Sequence, residues 1–177
     1  MKIAFYGGSF DPPHIGHDEI VKTALKELDI DKLIIMPTFI NPFKNEFSAQ
    51  PNLRYKWALK LWGKIPKVFI SRFEIMKKRP VPTIESIENI YKFYVVDKMY
   101  LIIGADHLIS INKWHKFDKL CELVEFVVAP RNEILIPSNL QKLNLNVNIS
   151  SSQIRQNFEF DKIPDCVRED VIKFYRG

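Results

Sequence analysis

Apolar residues recur along this chain in two rhythms. The first is the short unbroken run: residues 3–5, 33–36, 68–71, 100–103 and 124–129 are mostly Ile, Val, Leu, Met, Phe or Ala. Such runs suit strands buried on both faces of a parallel sheet. The second is helical spacing. Ile20, Val21, Ala24, Leu25 and Leu28 mark one face of a helix over about residues 16–28. Asn52 is expected to cap a second helix bearing Leu53, Trp57, Ala58 and Leu61, with Trp57 and Trp62 as packing residues. Thr83 is expected to cap a third, with Ile84, Ile87, Ile90 and Tyr91 on one face. Phe117, Leu120 and Cys121 mark a short helical face, and residues 164–175 carry Val167, Val171, Ile172 and Phe174 at helical spacing. The alternation of residues 144–148 predicts a half-buried edge strand. Strand, helix, strand within the first 36 or so residues is one βαβ unit with a right-handed crossover. The whole pattern predicts an α/β fold: a doubly wound, mostly parallel, Rossmann-like sheet with helices on both faces. We expect one domain over residues 1–177, with the helical segment 150–177 packing back on it.

Chemistry concentrates where these elements meet. Gly7-Gly8-Ser9-Phe10-Asp11-Pro12-Pro13-His14-Ile15-Gly16-His17 joins the first strand to the first helix. Its glycines suit a tight turn with uncovered backbone amides, and His14 and His17, three residues apart, can point at one spot. A strand, a small-residue turn and a helix start form an anion cradle, so this stretch is expected to hold nucleotide phosphates. Residues 37–51 are a long loop at the end of the second strand, which marks it as functional and Lys44 as a phosphate contact. The hydroxyl of Thr83 and the free amides of its helix start suit a phosphate. Gly104 permits close approach of a ligand to a strand end, and Asp106 sits where a carboxylate can hold a ribose hydroxyl. Trp114 offers a flat indole for stacking on a ring. Ser150, Ser151 and Ser152 cap a helix that carries Arg155 one turn on, an arrangement that can clamp a chain of phosphates.

Composition narrows the partners. The net charge is +5, yet no block of five or six basic residues occurs, so small polyanions are favoured over nucleic acid. The cysteines are Cys121 and Cys166, which form no zinc cluster and read as buried or incidental thiols. No apolar stretch reaches the length of a membrane span and no signal peptide is evident, so a cytoplasmic protein is expected. No serine–histidine–aspartate set, thiol–histidine pair or glycosidase-like carboxylate pair stands out. The equipment is for positioning phosphates.

The residues 7–17 closely resemble the H-x-G-H nucleotidyltransferase signature, in the longer form shared by nicotinate-nucleotide and phosphopantetheine adenylyltransferases. Ile103-Gly104-Ala105-Asp106 with Trp114, and Ile149-Ser150-Ser151-Ser152-Gln153-Ile154-Arg155, resemble the bacterial nicotinate-nucleotide adenylyltransferases in particular. Two departures stand out: Phe43 occupies the place of a usual histidine before Lys44, and Ser152 replaces a threonine. The resemblance implies adenylyl transfer from ATP to nicotinate mononucleotide, giving nicotinate adenine dinucleotide and pyrophosphate without a covalent enzyme intermediate. It implies catalytic roles for His14, His17, Lys44 and Arg155. Gly7, Gly8, Ser9, Phe10, Gly16, Gly104, Ser151 and Ser152 would bind ATP, and Thr83, Asp106 and Trp114 the mononucleotide. Arg54 would brace the loop or the substrate, and Arg131 would help close the nucleotide pocket. Mg²⁺ would ride on the ATP phosphates, with no protein metal site. Asp11 either orients the turn or reaches the metal through water. The implied partners are these small molecules, with no nucleic acid and no membrane, and a monomer or small homo-oligomer. The alternatives are a phosphopantetheine adenylyltransferase, whose chains are usually shorter, and a non-catalytic nucleotide-binding module.

Overall fold

The computed structural model describes residues 1–177. Strands and helices alternate: β1 (Lys2–Gly8), α1 (Ile15–Glu27), β2 (Lys32–Pro37), α2 (Pro51–Trp62), β3 (Val68–Ile70), α3 (Phe73–Lys77), α4 (Thr83–Phe93), β4 (Lys98–Gly104), α5 (Phe117–Leu123), β5 (Glu125–Ala129), β6 (Gln141–Lys142), α6 (Ser151–Asn157) and α7 (Asp165–Arg176). The strands form one sheet in the order β3-β2-β1-β4-β5-β6, and every neighbouring pair is parallel. This is the doubly wound, Rossmann-like architecture that the apolar runs predict.

Side-chain alternation along the strands divides the core into two layers. Ala4, Tyr6, Leu33, Ile35 and Ile102 face Ile20, Val21 and Ala24 of α1 and Ala58 and Trp62 of α2. Ile3, Phe5, Ile34, Met36, Leu101 and Ile103 face Ile84, Ile87 and Ile90 of α4 and Leu120 of α5. A third cluster joins Trp57 of α2, Ile154 of α6 and Val167 and Val171 of α7, so the last helix packs on the flank of α2. No helix is long and apolar enough to cross a membrane.

Local expectations needed three corrections. The sixth strand is not the alternating stretch 144–148 but Gln141–Lys142, which pairs with Val127 and Val128. Beyond it Leu143 and Val147 are buried in the core, while only Pro130 O offers Val147 N–H a partner. Alternation reports which side chains are buried; a strand also needs a free edge, and β5 ends at Ala129. Asn52 does not cap α2. Gln50 precedes Pro51 at the helix start, and Asn52 Oδ1 instead accepts from Arg72 Nη2 at 3.0 Å. Thr83 is the first residue of α4, after Pro82, and caps nothing through its side chain. Cys121 and Cys166 are both exposed free thiols, the incidental of the two alternatives.

Candidate active site

The switch in strand order lies between β1 and β4, whose onward connections lead to α1 on one face and α5 on the other, and a cleft opens at the C-terminal ends of these strands. It encloses about 770 Å³. His14, His17, Lys44 and Arg155 all line it, with Gly7, Gly8, Ser9, Phe10, Gly104, Ser151, Ser152, Thr83, Asp106 and Trp114. Three segments far apart in sequence thus converge on one space.

The two histidines open α1 in a reciprocal way. His14 is the N-cap; its Nδ1 accepts from the backbone N–H of Gly16 (3.1 Å) and His17 (3.3 Å), while His17 Nδ1 accepts from His14 N–H (3.2 Å). The rings stack with centroids 3.6 Å apart. An imidazole here does what Ser and Glu do in the usual capping box. Because both Nδ1 atoms accept, each neutral ring carries its proton on Nε2, leaving Nε2–H as the free donor. The electrostatics keep the rings neutral. Burial, then the Arg131 charge, hold His14 down to about 3. Loss of water, then His14 and Arg131, push His17 well below the ordinary histidine range.

The glycines work differently from the expectation. No glycine in the chain has positive φ; the left-handed residue of the turn is Phe10, at φ 49°. A bulky residue there costs about 1–2 kcal/mol, offset by burying its ring against Tyr6, His17 and Trp62. Phe10 is 1% exposed, and its ring packs edge-on against His17 at 5.0 Å, supporting that histidine. Gly8 is required by that ring, since a Cβ at residue 8 would lie 2.9 Å from Phe10 Cζ. Gly16 does not line the cleft; a Cβ there would strike Val147 at 2.6 Å and the His14 ring at 3.0 Å. Gly104 makes room for a neighbour within the chain: a Cβ would lie 2.5 Å from Asp106 Oδ1.

Around the turn most polar groups are paired, the exception being Thr38, whose N–H bonds Gly8 O while its buried Oγ1 has no partner. Arg54 is fully buried, with Nη1 donating to Ser9 O (2.6 Å), Nη2 to Phe39 O (2.7 Å) and Nε to Ala49 O (2.9 Å). One guanidinium therefore ties both ends of the 37–51 loop to the turn, and the loop rather than the substrate is what it braces. Asp11, 5% exposed, accepts from Ser48 N–H, Ala49 N–H and Tyr175 Oη. Its three donors tie the turn to residues 48–49 and to Tyr175, so in this structure the carboxylate orients the turn. No group of three or more His, Cys, Asp or Glu side chains is arranged to hold a metal ion.

On α6, the cap is Ser150, which accepts from Gln153 N–H. Ser151 and Ser152 are the first helical residues, whose amides have no partner within the helix. Ser151 Oγ donates to Pro12 O (2.8 Å), and Arg155 donates to Asp11 O and, at 3.4 Å, to Ser152 Oγ. Lys44 stands exposed on the loop beside Phe43, its backbone N–H bonded to Asn41 O.

The opposite wall is sparser. Arg131 meets Asp106 at 3.4 Å, so the two charges flank the same space. Trp114 packs on the α4–α5 core layer, with its buried Nε1 unpartnered and His107 edge-on at 5.6 Å. Glu74 lines this wall too, a residue the apolar periodicity gave no means of finding. It is 3% exposed, accepts from Ser86 Oγ at 2.6 Å, and its Oε2 has no partner. Burial raises its carboxyl to about 7, against the Ser86 hydrogen bond.

Comparison with known proteins follows the same lines. The cytidylyltransferase-like family model matches residues 5–157. A protein of Campylobacter fetus named "probable nicotinate-nucleotide adenylyltransferase" is 57% identical over 176 residues, which cover 99% of this chain and 97% of that protein. A protein of Nitratiruptor with the same name is 46% identical over the full length of both. Among solved structures, the Plasmodium falciparum nicotinic acid mononucleotide adenylyltransferase complexed with NaAD superposes with a TM-score of 0.77 at 20% identity, covering 99% of this chain and 96% of that one.

Proposed function

The chain belongs to the cytidylyltransferase-like nucleotidyltransferases, among the nicotinate-nucleotide adenylyltransferases, and from that membership and the cleft we propose how it carries out the reaction. It transfers the adenylyl group of ATP to nicotinate mononucleotide. A phosphate oxygen of the mononucleotide attacks the α-phosphorus, the bond from that phosphorus to the bridging oxygen breaks, and pyrophosphate leaves with the bonding electrons. The attacking phosphate is already an anion near neutral pH, so no strong base is needed. The enzyme aligns the two nucleotides and offsets charge that grows on the α-phosphate and the leaving group.

In our reading His17 donates from Nε2–H to the α-phosphate as charge builds, and His14 orients the ATP phosphates from the adjacent, stacked ring. Support comes from the capping bonds, which occupy both Nδ1 atoms and leave only Nε2–H to donate. Lys44 and Arg155, with Ser151 and Ser152, hold the β and γ phosphates and then the pyrophosphate. Gly7, Gly8 and Ser9 bring main chain close to the nucleotide. On the other wall Trp114 stacks on the nicotinate ring, Asp106 takes a ribose hydroxyl and Thr83 approaches the mononucleotide. Mg²⁺ carried on the ATP phosphates would screen their charge, with no protein side chain assigned to hold it. Residues 1–177 act as one catalytic domain.

The observation that carries this reading is the convergence, in one cleft at the switch point, of the paired histidine helix start, the Ser-Ser-x-x-Arg helix and the Asp106–Trp114 wall. The test is a pyrophosphate-release assay with ATP and each acceptor in turn. Turnover is expected with nicotinate mononucleotide, and the rate with its amide measures the preference between the two. Turnover with phosphopantetheine alone, or tight ATP binding without turnover, overturns the reading.

A further inference from the structure

The last helix reaches the catalytic turn at a single polar point. Tyr175, 164 residues from Asp11 in sequence, donates its hydroxyl to Asp11 Oδ1 at 2.6 Å. The other donors to that carboxylate are the backbone N–H of Ser48, 2.8 Å from Oδ2, and of Ala49, 2.9 Å from Oδ1. Those two amides lie just before α2, where no sheet or helix partner exists for them, and a buried carboxylate is the acceptor that satisfies both. Asp11 in turn needs donors, because a charge with 5% exposure is costly unless hydrogen-bonded. Tyr175 fits that need. Burial and the neighbouring Asp11 raise its hydroxyl well above the ordinary tyrosine range, so it stays protonated and donates. One carboxylate thus gathers three segments: the turn bearing His14, the end of the loop bearing Lys44, and α7.

We propose that Tyr175 is a positioning residue of the ATP site: its hydroxyl, through Asp11, fixes the 48–49 end of the Lys44 loop against the His14 turn. It touches no substrate. The effect runs through the geometry of loop and turn, so α7 is part of the catalytic apparatus as well as a packing helix. The inference rests on the function proposed above for its kinetic consequence only; the structural consequence stands without it.

The variant Tyr175→Phe removes one oxygen and keeps the ring against Trp57 and Phe174, so the fold is retained. Two measurements on it decide the matter. Native-state hydrogen exchange should show roughly 10-fold faster exchange at the amides of Ser48 and Ala49, with the strands β1 and β4 unchanged. Steady-state kinetics should show a KM for ATP about 3- to 10-fold higher, with the KM for the mononucleotide unmoved. Unaltered exchange at Ser48 and Ala49 overturns the proposal. So does a uniform loss of protection across the chain with the ATP KM unchanged, which makes Tyr175 a packing residue. If the unmodified protein fails to use nicotinate mononucleotide, the functional reading falls, and the exchange measurement still decides the role of Tyr175.

Discussion

The two walls of the cleft contain one buried carboxylate each, and they are treated in opposite ways. Asp11, on the wall of the paired histidines, has three donors for two oxygens. Glu74, on the wall of Trp114, has one donor, and its second oxygen is buried without a partner. The difference extends to their surroundings. Arg54 has all of its chain-facing hydrogen bonds made, and the histidines cap each other's backbone. Trp114 Nε1 is buried and unpaired, and Asp106 reaches Arg131 only at 3.4 Å. A wall that must meet developing phosphate charge gains from donors held in place beforehand, because no reorganisation is then needed as the charge appears. On the function proposed above, the Trp114 wall selects the acceptor and leaves bonds for that ligand to complete, since buried polar groups without partners favour whatever satisfies them.

The largest effect that tests this contrast is expected at His17. His17→Ala removes a donor from the preorganised wall and should lower kcat by about 10²- to 10⁴-fold with little change in either KM. A kcat close to that of the unmodified enzyme would remove His17 from the chemistry and make the capping pair a folding device. A smaller effect, of a different kind, is expected at Trp114. Trp114→Ala should raise the KM for the mononucleotide roughly 10- to 100-fold, as loss of a stacked aromatic costs ~1–3 kcal/mol per base, while the KM for ATP moves far less. Equal rises for both substrates mean that Trp114 supports the cleft and does not discriminate between its two ends.

The smallest effect concerns Glu74 and is read in stability. Its carboxyl ionises at about 7 in the folded protein against 4.5 for a free glutamate, so the folded state holds the proton longer than the unfolded one. Where the folded state binds more protons, stability falls as pH rises. The Glu74 contribution to stability should therefore fall as pH climbs from about 4.5 to about 7 and fall no more above that, which the comparison with a non-ionising variant isolates from the opposite contribution of the two buried histidines. Glu74→Gln keeps an acceptor for Ser86 and cannot ionise. Its melting temperature relative to the native protein should rise through that window and then level off. A constant offset at all pH values would show that the Glu74 carboxylate is as well compensated as Asp11, and the contrast between the walls would lose its sharpest element.

Much of this was legible in the chain. Buried strands declare themselves as apolar runs because both faces of a parallel sheet are covered, and so five of the six strands and the sheet type could be read directly. The signature from Gly7 to His17 and the serine–arginine helix start announced phosphate chemistry, because few residue types can supply closely spaced donors at a helix start. Residue identity told only part of the role of the glycines. Gly8, Gly16 and Gly104 were read as conformational freedom or ligand access, and each also makes room for a specific side chain: the Phe10 ring, Val147 with His14, and Asp106. A glycine in sequence carries no mark of which neighbour will crowd it.

What the sequence determined by itself is the alternation of strand and helix, the parallel sheet type expected from it, and the chemical character of the three segments that meet at the cleft. These depend on local periodicity and on residue types that are close together along the chain. Only the tertiary structure decided that Arg54 binds both ends of a loop, that Tyr175 completes the shell of Asp11, and that Glu74 is buried with an oxygen unpaired. Hydrogen bonding and desolvation are set by distance and burial in space, and residues 11 and 175 become neighbours only when the last helix has packed against α2.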